Sequence, residues 1–156
     1  MKGTTMSECK CRVFDKGIDD FQHEIIKIVP FKDKGSSTEY RYENQSSNPL
    51  AKYRVDGGLI SDDGAKCDYL LLNCKQRQSY FIELKGSDLI RAIEQIDRSI
   101  DKLKNQLLDF SFFARIVLSR ANTINLRDTK LLRLKKKVES LKGNLKMQSR
   151  FLEERI

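Results

Sequence analysis

The apolar residues of positions 87–108 recur at alternating steps of four and three, which is the spacing of a long helix with one buried stripe. The stripe consists of Leu89, Ile93, Ile96, Ile100, Leu103 and Leu107. Ser87 directly follows Gly86 and is well placed to cap this helix. A helix with a single apolar stripe has to cover a second layer, and the segments around it supply the strands of that layer.

Short apolar segments on both sides of this helix have the composition of strands. Three of them precede the helix, over residues 53–60, 67–73 and 79–84, and polar turns separate them. A fourth, residues 112–118, follows it. Strands joined by short turns pair as an antiparallel meander, and a strand that returns after a helix runs parallel to its neighbour. The order predicts an α/β domain built around one mixed four-stranded sheet that helices flank.

A shorter amphipathic pattern lies before this core. Phe21, Ile25 and Ile28 have helical spacing within residues 19–29, so a short first helix is predicted there. The following stretch, residues 32–49, is polar and rich in Ser and Asn. It is predicted to be a long loop or a weakly formed strand.

The end of the chain is predicted to be helical. Its apolar stripe is Leu131, Leu134, Val138 and Leu141. Asp128 or Thr129 can cap this helix, and a second short helix is predicted over residues 145–155. We therefore expect a single domain over residues 1–156, in which residues 128–156 form a basic C-terminal helical extension.

The positive charge of the chain is concentrated in its last third. The formal net charge is +8; residues 1–100 carry 16 Lys/Arg against 16 Asp/Glu, and residues 101–156 carry 14 against 6. Such a region fits a polyanionic partner, most simply nucleic acid, although a solvated lysine-rich helix face would have the same composition. The residues expected to contact a nucleic-acid backbone are Lys135, Lys136, Lys137, Lys142, Lys146 and Arg150.

Residue usage excludes several classes of protein. No apolar run approaches the ~18 residues of a membrane span, and the N-terminal residues lack a signal-peptide core, so we expect a cytoplasmic protein without a membrane partner. The spacings of Cys9 to Cys11 and of Cys67 to Cys74 do not match zinc sites, and His23 is the single histidine. A disulfide framework is not expected, so the latter two cysteines are predicted to be small core residues.

Three ionisable residues converge in the predicted meander. Asp68 lies near the start of its second strand, and Glu83 and Lys85 end the third. Residues two apart on a strand share a face, and a short hairpin would bring Asp68 beside Glu83. Magnesium prefers carboxylate oxygens and keeps positions for water and phosphate, and a lysine beside the ion can orient a water. The trio therefore suits metal-assisted hydrolysis of a phosphodiester, although an E-x-K spacing also occurs often by chance on strand surfaces.

With these residues, positions 53–120 resemble the core of the PD-(D/E)xK nucleases, the superfamily of many restriction endonucleases and junction resolvases. The resemblance rests on Asp68, on the E-x-K motif of Glu83 and Lys85, and on the helix and strand that follow. Cys67 stands where the motif usually has proline. The resemblance implies a restriction endonuclease-like three-layer core in which Asp68 and Glu83 bind Mg²⁺ or Mn²⁺ and Lys85 positions the attacking water. The implied activity is that of an endo- or exonuclease acting on DNA or RNA.

Four further residues are candidates for such a site. The superfamily often adds an acidic residue from its first helix, and Glu24 fits that place best, with Asp20 behind it. Asp56 competes with Asp68, would assist a second metal ion, or simply begins a turn; Asp68 is preferred because its strand directly precedes that of the E-x-K motif. Gln95 resembles the glutamine found after the motif in several such nucleases, although an ordinary exposed helix glutamine would look the same.

Two non-enzymatic functions remain open from the sequence. A catalytically inactive nuclease-like fold could bind nucleic acid or a protein through its basic C-terminal helices. Alternatively, the leucine stripe of residues 131–141 could pair with a second chain, and a homodimer is also compatible with a nuclease. Salt-dependent binding that needs no divalent metal would favour the first function, and a concentration-dependent mass the second.

Overall fold

The structure is a computed structural model that describes residues 12–33, 35, 37–86, 88–120 and 128–156, without the side chains of positions 20, 85 and 86. Its strands are β1 (Ile18–Glu24), β2 (Ile28–Lys32), β3 (Glu39–Glu43), β4 (Leu50–Arg54), β5 (Tyr69–Asn73), β6 (Gln78–Gly86), β7 (Ser111–Leu118), β8 (Leu145–Ser149) and β9 (Phe151–Arg155). Its helices are α1 (Leu89–Leu103), which a 3₁₀ turn at Lys104–Gln106 follows, and α2 (Thr129–Ser140). In this part of the chain, neither helix has the length and apolar character that crossing a membrane requires.

Six of the strands form one mixed sheet, in the order β1-β4-β5-β6-β7-β8. Strands β4, β5 and β6 form an antiparallel meander, α1 follows, and β7 then runs parallel to β6. The predicted parallel return and the antiparallel order of the meander are therefore confirmed. Its first strand, predicted over residues 53–60, is wrong in position: β4 ends at Arg54, and the residues after it form a turn in which the N–H of Ile60 donates to the carbonyl of Val55 at 3.0 Å. The predicted number of four strands is wrong, because β1 adds to the edge of β4 and β8 adds to the edge of β7.

The large sheet is buried on both faces, and the layers that cover the two faces differ. On one face, Leu70, Phe81 and Ala114 pack with the apolar stripes of α1 and α2. On the other face, Ile82 and Val117 pack against a second sheet of order β2-β3-β9. The domain thus has a helical layer, a large sheet and a small sheet. The sequence predicted helices as the flanking elements, whereas one flanking layer is a sheet.

The predicted first helix is wrong, because residues 19–29 belong to β1 and the start of β2. Phe21 is buried between the two sheets, while Ile25 is exposed. Along β2, Val29 and Phe31 are buried and their neighbours are exposed. This period of two is that of a strand, and it outweighs three apolar residues at helical spacing. The polar stretch that follows contains β3, so the strand alternative is the one adopted.

The C-terminal extension is helical only in its first half. Helix α2 matches the prediction and has Asp128 as its N-cap. The second helix predicted over residues 145–155 is wrong, since these residues form β8 and β9. Leu152 and Glu154 are buried between exposed or half-buried neighbours, which is the alternation of a strand. Arg150, with φ 68°, joins the two strands as the chain passes from the large sheet to the small one.

The leucine stripe of α2 is buried within the domain. Leu131, Leu134 and Val138 pack in the core between the helices and the large sheet. The stripe therefore does not offer a surface to a second chain, contrary to one of the functions left open by the sequence.

Two local predictions near α1 also need correction. The N-cap of α1 is Asp88, whose carboxylate accepts a hydrogen bond from the N–H of Arg91 at 3.2 Å. Ser87, the predicted cap, lies outside the described residues. Cys67 is a buried free thiol, as expected, but Cys74 is buried and disulfide-bonded, so the expectation of no disulfide is wrong at that position.

Helix α2 ends in a Schellman motif. The N–H of Lys142 donates to the carbonyl of Glu139 at 3.1 Å, and the N–H of Gly143 donates to that of Val138 at 2.8 Å. Lys142 has φ 70°, in the left-handed region that favours glycine. Gly143 is needed for another reason, since a Cβ there would lie 1.7 Å from the carbonyl oxygen of Phe112. A lysine therefore occupies the position where glycine would be the more stable residue.

We expect Lys142→Gly to raise the free energy of unfolding by about 0.5–1 kcal/mol, because it relieves a left-handed backbone. Urea denaturation measures the change. The matched control is Lys135→Gly, the same substitution on the exposed face of α2, which should lower stability by roughly 1 kcal/mol. Destabilisation by both variants would contradict the role assigned to the φ of Lys142.

Candidate active site

Asp68 lies immediately before β5 and is tied to β6. Its carboxylate accepts a hydrogen bond from the N–H of Leu84 at 2.8 Å, and its own N–H donates to the carbonyl of Ile82 at 3.1 Å. Tyr69 pairs with Ile82 in the antiparallel register of β5 and β6. The structure therefore brings Asp68 beside Glu83, as the hairpin argument predicted.

Glu83 is buried, with 3% of its surface exposed. It lies two residues after Phe81 on β6, and strand alternation places both on the helix-facing side of the large sheet. The pairing of β6 with β7 becomes irregular between Glu83 and Gly86. Lys85 lies in this irregular stretch, and its side chain is outside the described residues.

The two carboxylates affect the pKa of the neighbouring Cys67 thiol. Burial raises the pKa of Cys67, a hydrogen bond with Ser99 lowers it, and the charges of Glu83 and Asp68 raise it further. The net pKa is far above the ordinary value for a thiol. Cys67, Asp68 and Glu83 are therefore close enough to interact electrostatically, at the end of β5 and β6 that lies away from their connecting turn.

Helix α1 holds the loop that leads to Asp68. The guanidinium of Arg98 donates to the carbonyl of Ala65 at 2.9 Å and to the carboxylate of Asp62 at 2.8 Å. A Cβ at Gly64 would lie 2.2 Å from the Arg98 guanidinium carbon, so the loop approaches this side chain closely. The arginine thus fixes the loop to the helix from its exposed side.

Deeper in the same loop, two further hydrogen bonds join it to α1. The amide of Gln95 donates to the carbonyl of Lys66 at 3.2 Å, and the N–H of Cys67 donates to the hydroxyl of Ser99 at 2.9 Å. Ser99 is fully buried and in turn donates to the carbonyl of Gln95. Gln95 is therefore a loop-holding residue, and Ser99 supports Asp68 although the sequence analysis did not single it out.

We expect Ser99→Ala to lower the free energy of unfolding by about 1–3 kcal/mol, because the buried N–H of Cys67 loses its acceptor. Urea denaturation measures this loss. Ser140→Ala is the matched control, since the Ser140 hydroxyl also donates to a helix carbonyl but is exposed; it should change stability by less than about 0.5 kcal/mol. Equal effects of the two variants would contradict the importance of the contact between helix and loop.

Asp56 lies at the same end of the sheet as Asp68. The N–H of Val55 donates to the carbonyl of Asp68 at 2.9 Å, which places Asp56 one residue beyond that contact. Its carboxylate is more than half exposed and lies 3.9 Å from the ammonium of Lys66. Asp56 is thus near the carboxylate pair, on its solvent-facing side.

Glu24 lies at the other end of the sheet. It pairs with Leu50 at the beginning of β4, whereas Arg54 at the end of β4 pairs with Tyr69, the neighbour of Asp68. The structure therefore does not bring Glu24 to the carboxylate pair, and Glu24 is part of a strand and not of a helix. Asp20 is in the same strand, with its side chain outside the described residues.

The predicted nucleic-acid-binding residues divide into two groups. Lys137 donates to Asp97 at 2.6 Å and to Asp101 at 2.7 Å, joining α2 to α1, and Lys146 donates to Glu154 at 3.0 Å. These two lysines are engaged within the fold. The remaining four are exposed: Lys135, Lys136, Lys142 and Arg150.

A buried ion pair joins the two sheets, and the sequence analysis missed it. Arg115 of β7 donates to both carboxylate oxygens of Glu154 in β9, from Nε at 2.6 Å and from Nη2 at 3.0 Å. Tyr40 of β3 donates its hydroxyl to the same carboxylate at 2.6 Å. The sequence carried one signal for this pair, which is a charged residue in the middle of the apolar segment 112–118.

Within the described residues, no group of three or more His, Cys, Asp or Glu side chains is arranged to hold a metal ion. Asp68 and Glu83 nevertheless suit magnesium, which commonly takes one or two protein carboxylates and completes its shell with water and substrate phosphate. Comparison of the chain with protein-family models, curated proteins and solved structures finds no match. Function therefore has to be argued from the site itself.

Proposed function

We propose that the chain is a metal-dependent nuclease of the PD-(D/E)xK type. The observation that carries the proposal is the 2.8 Å hydrogen bond from the N–H of Leu84 to the carboxylate of Asp68. This bond ties Asp68 to the backbone of the residue directly after Glu83. Both acidic residues lie at one end of the antiparallel meander, which helix α1 and the parallel strand β7 follow. Two carboxylates on neighbouring strands are the kind of oxygen ligands that a divalent cation takes from a protein.

In this proposal the carboxylates of Asp68 and Glu83 would be ligands of Mg²⁺ or Mn²⁺. The bound ion supplies positive charge for the phosphate and for the oxygen that leaves. Lys85, two residues after Glu83 on β6, orients the water whose oxygen attacks phosphorus. The attacking water would give up a proton to solvent as its oxygen bonds to phosphorus; the ester P–O bond would break, and the leaving oxygen would take up a proton from solvent.

The exposed basic residues of the C-terminal third support substrate binding. Lys135, Lys136, Lys142 and Arg150 carry charge to the surface on α2 and on the turns that follow it. Lysine and arginine on a surface neutralise phosphates without reading bases, so the expected substrate contact is with the backbone of DNA or RNA.

The test is a cleavage assay of the purified full chain with duplex DNA, single-stranded DNA and RNA, each with Mg²⁺, Mn²⁺ or EDTA. We expect cleavage of at least one substrate with metal and none with EDTA. Calorimetry should also show metal binding to the wild type and its loss in Asp68→Asn. The proposal would be overturned if no substrate were cleaved in a metal-dependent way and if no metal bound to the chain even when nucleic acid was present.

The same four exposed cations favour a second candidate function, a catalytically inactive fold that binds nucleic acid. Binding would then need no divalent metal and would weaken steeply with salt. Replacing both Lys135 and Lys136 by glutamine should reduce the slope of log affinity against log salt by roughly one unit for each lost phosphate contact. An unchanged slope would contradict a role for these lysines.

A further inference from the structure

A second candidate site lies at the opposite end of the large sheet. A groove of about 670 Å³ lies between the turn before β6, the connection from α1 to β7 and the end of α2. Arg77 of that turn is six residues before Glu83 along the chain, which corresponds to about 20 Å of strand. The groove is therefore separate from the carboxylate pair, and what it binds does not depend on the proposed nuclease activity.

The accessible apolar surface of the groove comes mainly from one leucine. Leu108 lies on the lining and is 81% exposed, which is unusual for a leucine. Leu107 and Phe112 lie beneath the lining, where they are buried and belong to the core between the helices and the large sheet. The volume is within the range of small-molecule sites, and the exposed leucine suits the apolar part of a ligand.

The charged side chains of the lining are mostly cationic. Arg77, Lys104 and Lys142 line the groove against a single carboxylate, that of Asp109. The Arg77 guanidinium carbon lies 5.6 Å from the centre of the Phe110 ring, a cation–π contact that holds the arginine over the lining. An exposed leucine beside an excess of positive charge complements an amphipathic anion.

Backbone strain is stored at this groove. The non-glycine residues of the described chain with positive φ are His23, Ser47, Arg77, Lys142 and Arg150. Two of them, Arg77 and Lys142, supply cations to the lining. Strained backbone persists only where the surrounding structure holds it, it is enriched at binding sites, and glycine would relieve the strain at either position.

The walls of the groove are fixed by backbone hydrogen bonds. The N–H of Ser111 donates to the carbonyl of Arg77 at 2.8 Å, and the N–H of Phe112 donates to the carbonyl of Leu141 at 3.1 Å. Both cation-bearing turns are thus anchored to the beginning of β7. A pre-formed groove loses little conformational freedom on binding.

We propose that this groove binds a small amphipathic anion, with its apolar body against the exposed Leu108 and its acidic group between Arg77 and Lys142. The probe for the test is 1-anilinonaphthalene-8-sulfonate, titrated by fluorescence into the full chain. Its uncharged analogue N-phenyl-1-naphthylamine has the same rings without the sulfonate. We expect one bound sulfonate per chain and at least tenfold weaker binding of the uncharged analogue.

The variants Lys142→Gly and Arg77→Gly remove a cation while relieving strain, so loss of folding does not explain a loss of binding. Each should weaken binding of the sulfonate at least tenfold. Lys135→Gln removes a cation from α2 outside the groove lining and should leave binding unchanged. Equal affinity of the two probes, or wild-type affinity in both glycine variants, would overturn the proposal.

Discussion

Glu154→Ala is expected to lower the free energy of unfolding by about 3–5 kcal/mol, because it leaves the charge of Arg115 buried without its partner. Arg115 is 1% exposed, and its remaining donor, Nη1, bonds only to the carbonyls of Ala114 and Asn144. Urea denaturation measures the loss. Glu153→Ala is the neighbouring control, since Glu153 contacts Arg41 at the surface at 3.7 Å, and it should cost less than about 1 kcal/mol.

A double replacement separates the cost of the orphaned charge from the value of the pair. Arg115→Met combined with Glu154→Leu removes both charges and keeps most of the volume. Because buried pairs exchanged for apolar residues are often neutral in stability, we expect the double variant to be more stable than Glu154→Ala. A double variant as unstable as Glu154→Ala would show that packing and the lost hydrogen bond of Tyr40, and not the orphaned charge, determine the loss.

The same pair sets a pH dependence. Burial by itself would raise the pKa of Glu154, but the hydrogen bonds and charge of Arg115, with those of Tyr40 and Lys146, lower it below its ordinary value of 4.5. A lowered pKa in the folded state means that the contribution to stability is complete above pH 4.5 and is lost as the pH falls through the folded pKa. Stability of the wild type should therefore fall in acid more steeply than that of the double variant.

Under the proposed nuclease function, Glu83→Gln is expected to lower metal-dependent cleavage on the order of 100-fold or more, since it removes one of the two carboxylates that would stabilise a bound cation. The measurement is the initial cleavage rate at saturating Mg²⁺ on the substrate that the wild type cuts best. Glutamine keeps the volume of this buried side chain, so urea denaturation of the variant should show a folded protein.

Asp63→Asn is the matched control for this experiment. Asp63 is exposed in the loop before Asp68 and loses one negative charge in the same way. It should leave the rate within about twofold of the wild type, because an exposed and well-screened charge contributes little. Cleavage by Glu83→Gln at the rate of Asp63→Asn would remove Glu83 from the catalytic site and with it the proposed mechanism.

The part of the fold that local periodicity predicted is the part in which each element is long or strongly apolar. The stripe of α1 spans more than three turns, and β5 is buried at every position. Such segments have one arrangement that hides their apolar atoms. The meander, the crossover helix and the parallel return of β7 follow from them, and so does the position of Asp68 beside Glu83.

The elements that the sequence misassigned are short and have mixed polarity. In β2, β8 and β9 the alternation extends over five residues, which also fit a helical face. Whether such a segment forms a helix or a strand depends on whether a neighbouring strand is available for pairing. β9 is a strand because β3 lies beside it in parallel, and β3 is distant in sequence.

The sequence alone determined the order of strands and helices in the core and the candidate carboxylate pair, because both depend on neighbouring elements joined by short connections. Only the tertiary structure decided that a small sheet covers the second face, that Arg115 meets Glu154 across 39 positions, and that Arg77 and Lys142 face one groove. Those contacts join segments from distant parts of the chain. Periodicity predicts which side of an element is buried. It does not predict which distant segment covers that side, because this depends on how the chain folds.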